Sequence, residues 1–323
     1  MQGLYAVFSK ELRDHFSSYR FVILFALIAM VSFITSYMAG VHMKGNLEAL
    51  AKTRFPFLTL FSTPGAVLSM VQFVAFFGPL IGLVLGFDSI NRERADGTLV
   101  KLVSQPIYRD AVINGKFLAG VTTISIILLS IVLVISGFGL ALVGTVPEVE
   151  EVWRIFIFLV ISIFYISFWL GVAILFSISL KSIATSALAS AALWIFLSFF
   201  VSLGADVLAN TVAPVDNSKE TEPATIIKNL NIKEMVSLCS PMVLYTDATA
   251  TIMDPMRNTI SIVSIVKRER RPMEKLLSSR FQNPLSLGQS LIVVFPYMIA
   301  LIAITLICFA ISYLIFMLQE IRT

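Results

Sequence analysis

Charge is scarce in this chain: Asp, Glu, Lys and Arg make up 14% of 323 residues, where soluble domains carry about 25%. Histidine and cysteine number two each. Cys239 lies in a polar segment and Cys308 in an apolar one, so no disulfide is expected between them. No His-Glu-x-x-His, Gly-x-Ser-x-Gly or Walker A sequence occurs, which excludes a zinc hydrolase helix, a nucleophile elbow and a P-loop of the chain's own. No charged side chain stands near the middle of any long apolar stretch. Carriers driven by ion gradients need such a group to bind and release the ion, so that class is disfavoured. His15 and His42 fall in a polar helix and at a helix end, where a structural or headgroup-facing role is the expectation.

Hydrophobic residues are abundant, at 57%. Lipid about 30 Å thick takes around 20 apolar residues of helix, and six stretches reach that length: 21–43, 64–88, 117–143, 154–180, 183–205 and 288–318. The fold class is therefore an all-α polytopic membrane protein with six transmembrane helices. The first stretch is too long for the apolar core of a signal peptide and is expected to stay in the mature chain. The net charge of +4 fits basic loops against lipid headgroups, and nothing suggests nucleic acid.

With the N-terminus inside, short inner segments carry ten Lys or Arg and short outer ones four, Arg154 among the latter. Both termini are thus expected in the cytoplasm of a multi-pass plasma-membrane protein. Residues 206–287 hold ten more basic residues and are left out, since the rule weakens for long loops. They read as a small extracytoplasmic domain, leaning on the membrane helices or on a partner copy. In it Ile232, Met235, Val236 and Cys239 form one stripe, and Ser240-Pro241 starts a helix with Tyr245, Ala248, Thr249 and Ile252 on one face. Asp254-Pro255 ends that helix, residues 258–266 read as a short strand, and 210–223 as a loop. The methionines 235, 242, 253, 256 and 273 with Cys239 are soft enough for Cu(I), but methionine equally fills gaps in cores, and no metal site is assigned.

Residues 1–20 read as an interfacial amphipathic helix: Leu4, Val7, Phe8, Leu12, Phe16 and Tyr19 share a face, while Lys10, Glu11, Arg13 and Asp14 point away. A helix packed on a partner gives the same pattern. Small residues mark close packing: Gly78, Gly82 and Gly86 on the second span, Ser186, Ala187, Ser190 and Ala191 on the fifth. These faces serve packing within one subunit, a dimer seam or a pathway wall. Pro79 and Pro296 are candidate kinks.

The remaining polar motif lies between the second and third spans, in residues 88–116. Asn91, Arg92, Glu93, Arg94 and Asp96 alternate in charge, and Gly97 supplies a turn. Leu99, Leu102 and Val103 form a short apolar stripe that Pro106 ends. Such a short helix under charged anchors suits docking into a groove of a soluble partner. Arg92-Glu93-Arg94-Ala95-Asp96-Gly97-Thr98-Leu99, followed by Ser104, Pro106, Arg109, Gly115 and Lys116, resembles the inner loop of the ABC-2 family of ATP-binding-cassette permeases, with Asp96 before the glycine as a departure. Within that family the permease group of nitrous-oxide-reductase maturation systems is similar in size and loop pattern. The interfacial helix, six spans and outer segment (206–287) before the last span (within 288–323) also resemble the family's layout.

That resemblance implies the membrane subunit of an ATP-driven exporter or mechanically coupled complex, type V-like. It implies two separate ATPase subunits that bind ATP and Mg, a second permease copy as homodimer or heterodimer, and no nucleotide site or other cofactor in this chain. Asn91, Arg92, Glu93, Arg94, Asp96, Gly97, Thr98 and Lys101 would then couple to the ATPases. Glu93→Ala or Gly97→Pro would uncouple hydrolysis from transport while leaving folding intact. The alternative from another class is a non-transporting scaffold that recruits a partner through its outer domain, for which a docking loop has no use.

Overall fold

The computed structural model describes residues 2–45, 55, 57–62, 69–98, 108–144, 146–214, 223–254 and 285–319. Among them every element is helical: α1 (Gln2–Ser17), α2 (Tyr19–Gly45), α3 (Thr59–Ser62), α4 (Met70–Gly86), α5 (Asn91–Ala95), α6 (Arg109–Val143), α7 (Val149–Ser179), α8 (Ile183–Ile195), α9 (Val201–Val212), α10 (Pro223–Ser237), α11 (Pro241–Met253) and α12 (Leu287–Leu318). A π-helical turn, Phe196–Phe200, joins α8 to α9, so the fifth span runs on to Val212 rather than stopping at 205. Among the described residues five helices are long and apolar enough to cross a membrane, and six spans result if α1 and α2, bent by 62°, count as one. The expected strand at 258–266, Lys101 and the apolar stripe at 99–103 lie outside the described residues.

Helix ends follow the sequence. Ser69 with Gln72, and Ser286 with Gln289, close reciprocal capping boxes that start α4 and α12. Gly144, at φ 72°, stops α6. At 1.5 Å per residue the 35 residues of α6 span about 50 Å, longer than a bilayer core, so its first turns from Arg109 stand outside the apolar layer.

α7 is the axis of the bundle and packs on α4, α6, α8, α11 and α12. Its Tyr165, Ile166, Trp169, Leu170 and Ala173 are fully enclosed. The face bearing Gly78, Gly82 and Gly86 meets α7 of the same chain. A Cβ built on Gly82 would lie 2.6 Å from the Ile166 carbonyl oxygen and 2.8 Å from the Leu170 nitrogen. On the fifth span Ser186 and Ser190 are the buried small residues, and Ala187 and Ala191 flank them half-buried.

Pro79 cannot donate the helical bond that the Ala75 carbonyl would accept, and Tyr165 replaces it: its hydroxyl donates to that oxygen at 2.7 Å. Tyr165 also stacks on Tyr245 of α11, centroids 4.4 Å apart. Ser162 spends its proton on the Phe158 carbonyl at 2.8 Å, which leaves the Tyr245 hydroxyl to donate to the Ser162 oxygen at 2.9 Å. Tyr165→Phe should cost about 1–3 kcal/mol, since it leaves a buried carbonyl without a donor. Thermal unfolding in detergent checks this, and an unchanged midpoint contradicts it.

The described part of segment 206–287 is less separate than its composition suggests. α11 is wedged between α7, α12 and α4, and Tyr245, Ala248, Thr249 and Ile252 are buried there. α10 leans on α9 through Asn229, which donates to Asn210 and to the Ala213 carbonyl, and through a Lys233–Asp206 ion pair. Its stripe is not a core face: Met235 is 70% exposed and Cys239 is exposed.

At that same end Arg154, counted in sequence as an outer loop cation, is fully buried. It pairs with Glu150 at 2.8 Å and donates to the carbonyls of Ile252 and Leu285 and to Ser290, tying α7 to the end of α11 and the start of α12. Glu151 beside it accepts from the Phe57 backbone at 2.9 Å. An i,i+4 Glu-Arg pair was the available signal, and it reads equally well as a solvated surface pair.

Candidate coupling site

α5 is one and a half turns long, far too short to be stable alone, and its position comes from tertiary bonds. The Ile90 and Asn91 backbone N–H groups both donate to Ser177 Oγ of α7, at 3.0 and 3.2 Å. Asn91 is buried and donates through Nδ2 to the Ser182 carbonyl. Thr98 donates back to the Glu93 carbonyl, and Gly97 closes the helix at φ 66°, in the left-handed region where other residues are strained.

Glu93 does not face outward. It is 7% exposed, and its Oε1 accepts from Lys116 Nζ of α6 at 3.0 Å and from Lys10 Nζ of α1 at 3.2 Å. Lys116, 4% exposed, also donates to Glu11 Oε1 at 2.8 Å. This corrects one expectation: Glu11 belongs to a buried ion cluster rather than facing away from the apolar side of α1. α1 is held against α6, where Val7 sits over Gly115. Glu93→Ala would therefore disturb the packing of α1, α5 and α6 and is not a clean uncoupling change.

Burial pushes the Glu11 carboxyl up, but the charge and hydrogen bond of Lys116, then Lys10 and His15, outweigh it and hold Glu11 below the usual range. Burial lowers Lys10, and the facing charges of Glu11 and Glu93 more than restore it, leaving it raised. His15 is lowered, first by burial and then by Lys116, against Glu11, Asp88 and Asp14. At neutral pH the cluster thus holds Glu11 as an anion, Lys10 as a cation and His15 neutral. It floors a cavity of about 660 Å³ between α1, the start of α2, the end of α4 and α5, with Phe21 and Leu24 on its apolar wall.

The next residue, Arg94, reaches the other way: Nη1 donates to Asn91 Oδ1 and the Leu180 carbonyl, and Nη2 to Gln319 Oε1. What remains exposed on α5 and its turn is Arg92, Ala95, Asp96, Gly97 and Thr98. Of the residues singled out in sequence, Asn91, Glu93 and Arg94 are thus inward anchors and Arg92, Asp96, Gly97 and Thr98 form an outward face. Lys10 and Glu11 read in sequence only as outward residues of α1, and Ser177 and Gln319 were not singled out, because the partners that matter are distant in sequence. Among the described residues no group of three or more His, Cys, Asp or Glu is placed to hold a metal ion.

By class this is a multi-pass helical membrane protein in which the loop between the second and third spans presents an outward polar face mounted on buried ion pairs. The chain belongs to the ABC-2 family of transporter proteins: the model described as "ABC-2 family transporter protein" matches residues 5–321. It is similar to a probable ABC transporter permease protein NosY of Pseudomonas aeruginosa, 39% identical over 92 residues, which are 28% of this chain and 31% of that one. A second relative, the probable ABC transporter permease protein NosY of Stutzerimonas stutzeri, is 31% identical over 152 residues, 46% of this chain and 53% of that one. The matched stretches span at most about half the length of these relatives.

Proposed function

We propose that this chain is the membrane-spanning permease subunit of an ATP-driven, type V-like ABC-2 transporter, working as an exporter or as a mechanically coupled complex. Two separate ATPase subunits dock on the exposed face of Arg92, Asp96, Gly97 and Thr98, with Lys101 beyond it, and bind the ATP and Mg that drive it. A second permease copy, identical or related, completes the pathway. The assembly sits in the plasma membrane with both termini in the cytoplasm.

The observation that carries this reading is the mounting of α5. A five-residue helix with a polar outward face is fixed on one side to α1 and α6 through Glu93 and on the other to α7 through the Asn91 backbone N–H. A loop that only ended two spans would need no such fixture. A push on this face reaches the helices as a rigid-body displacement, because ion pairs at 2.8–3.0 Å and packed helices yield little. The family resemblance of the loop supports the identity of the partner.

The test is purification of the tagged chain from its native membrane in mild detergent, with mass spectrometry and an ATPase assay on the eluate. The parent should carry a nucleotide-binding subunit and hydrolyse ATP. Gly97→Pro, which imposes a negative φ on a residue held at 66°, and Asp96→Lys, an exposed charge reversal, should both lose most of that subunit, and Asp96→Lys should keep the parent's stability to within about 0.5 kcal/mol. A parent that elutes alone without ATPase activity contradicts the reading and favours a scaffold.

A further inference from the structure

We infer that Gln319 is a positioning residue through which α5 moves the last span, α12; this rests on the docking reading above and extends it to the route of the movement.

Consecutive residues of α5 grip opposite groups of helices. Glu93 holds α1 and α6 through Lys10 and Lys116, whereas Arg94 holds the ends of α7 and α12. The second grip converges on one residue. Arg94 Nη2 donates to Gln319 Oε1 at 3.3 Å, and Arg109 Nη1, from the first residue of α6, donates to the Gln319 carbonyl at 3.1 Å. The Gln319 amide Nε2 donates to the Ile178 carbonyl at 3.5 Å, and its backbone N–H to Ile315 at 3.0 Å. Both acceptors and both donors of this residue are engaged, by four partners on four segments.

A glutamine just past an apolar helix ordinarily ends it in the headgroup layer and faces water. Gln319 instead is half-buried and takes two guanidinium groups, which are the strong, directional donors among side chains. α12 packs chiefly on α7 and α11, and its contact with α6 is slight. Among the described residues the Arg94–Gln319–Arg109 bridge is the polar tie between the loop residues and the sixth span. Displacement of α5 pulls on α12 through it, and α12 begins at the opposite end of the bundle beside Arg154 and α11. A two-ended lever of this kind carries a shift at α5 to the far end without any change inside α12 itself.

The experiment uses the complete complex of permease and ATPase subunits in nanodiscs, in a Cys239→Ser background. An environment-sensitive fluorophore is placed at Ile292→Cys, a 76% exposed position near the far end of α12, and the signal is read before and after ADP–vanadate trapping. The parent should respond. Gln319→Ala should keep co-purification and vanadate trapping but lose the response by about tenfold, the factor a charge-assisted hydrogen bond carries. Gln319→Glu keeps an acceptor for Arg94 and should restore it. Should Gln319→Ala fail to assemble, Arg94→Lys, which cannot span Asn91, Leu180 and Gln319 together, is read in its place and should lose the response likewise.

A full response in Gln319→Ala, whatever its melting temperature, overturns this inference and leaves the docking reading standing. A parent that carries no ATPase, or traps vanadate without any response at Ile292→Cys, overturns the lever as well; only the first of these also removes the docking reading.

Discussion

Gly82→Ala is expected to unseat α4 from α7 and to lower stability by about 3 kcal/mol, the upper end for overpacking a close seam, whereas Gly78→Ala should be nearly neutral. The difference lies in what each new methyl meets. At Gly82 it would stand 2.6 Å from a carbonyl oxygen and 2.8 Å from a backbone nitrogen of α7. Backbone cannot rotate away, so the helices must separate, and the packed face around Ile166 and Leu170 opens with them. At Gly78 the nearest atom is the Ile166 Cγ1 at 3.0 Å, a side-chain rather than a backbone contact that a shift of a few tenths of an ångström relieves. Alanine also gains up to about 1 kcal/mol over glycine inside a helix, enough to offset a small adjustment there and too little to offset the Gly82 clash. Unfolding of the two variants in detergent, followed by tryptophan fluorescence, gives the comparison. Equal midpoints for both contradict the seam.

Lys116→Ala should be comparably damaging, at about 3–5 kcal/mol, the range for breaking a buried ion pair from one side. It removes the cation that joins Glu11 and Glu93, whose side chains are each only 10% exposed. Lys10 remains within 3.3 Å of both, but it is half exposed and cannot enter the site that Lys116 fills, so the loss belongs near the lower end of that range. The cause is charge left without a partner rather than lost packing, and this gives a check. Adding Glu11→Gln and Glu93→Gln to Lys116→Met should recover most of the stability, because the triple change leaves neutral groups of similar shape. A triple variant as unstable as Lys116→Ala would show that shape, and not charge, governs the site.

The spans were legible because length and apolar content are one-dimensional properties. The expected 154–180 and 288–318 stretches differ from α7 and α12 by at most five residues at any end. α6 starts at Arg109 rather than 117, because helical periodicity continues below the apolar layer where hydropathy gives no signal. The buried half of the site was not legible. Glu11 has the spacing of an outward residue on an amphipathic helix, and that spacing is the same whether the face meets water or a lysine 105 positions away. Glu93 and Arg94 read alike as anchors at the membrane face, yet one is drawn to α6 and the other to α12. The Arg154 clamp hid for the converse reason: an Arg close to Glu150 and Glu151 resembles a solvated loop until α11 and α12 close over it. Periodicity finds faces, and only the packing decides what each face meets.

The account turns on whether the outward face of α5 touches an ATPase. A cysteine at Asp96, in the Cys239→Ser background, is treated in native membranes with a short bifunctional thiol-to-amine reagent, and a cysteine at Val146, exposed at the opposite end of α6, serves as control. The account predicts an adduct with the combined mass of this chain and a nucleotide-binding subunit at Asp96→Cys and none at Val146→Cys. No adduct at Asp96→Cys, or an adduct with that subunit from Val146→Cys instead, would contradict it.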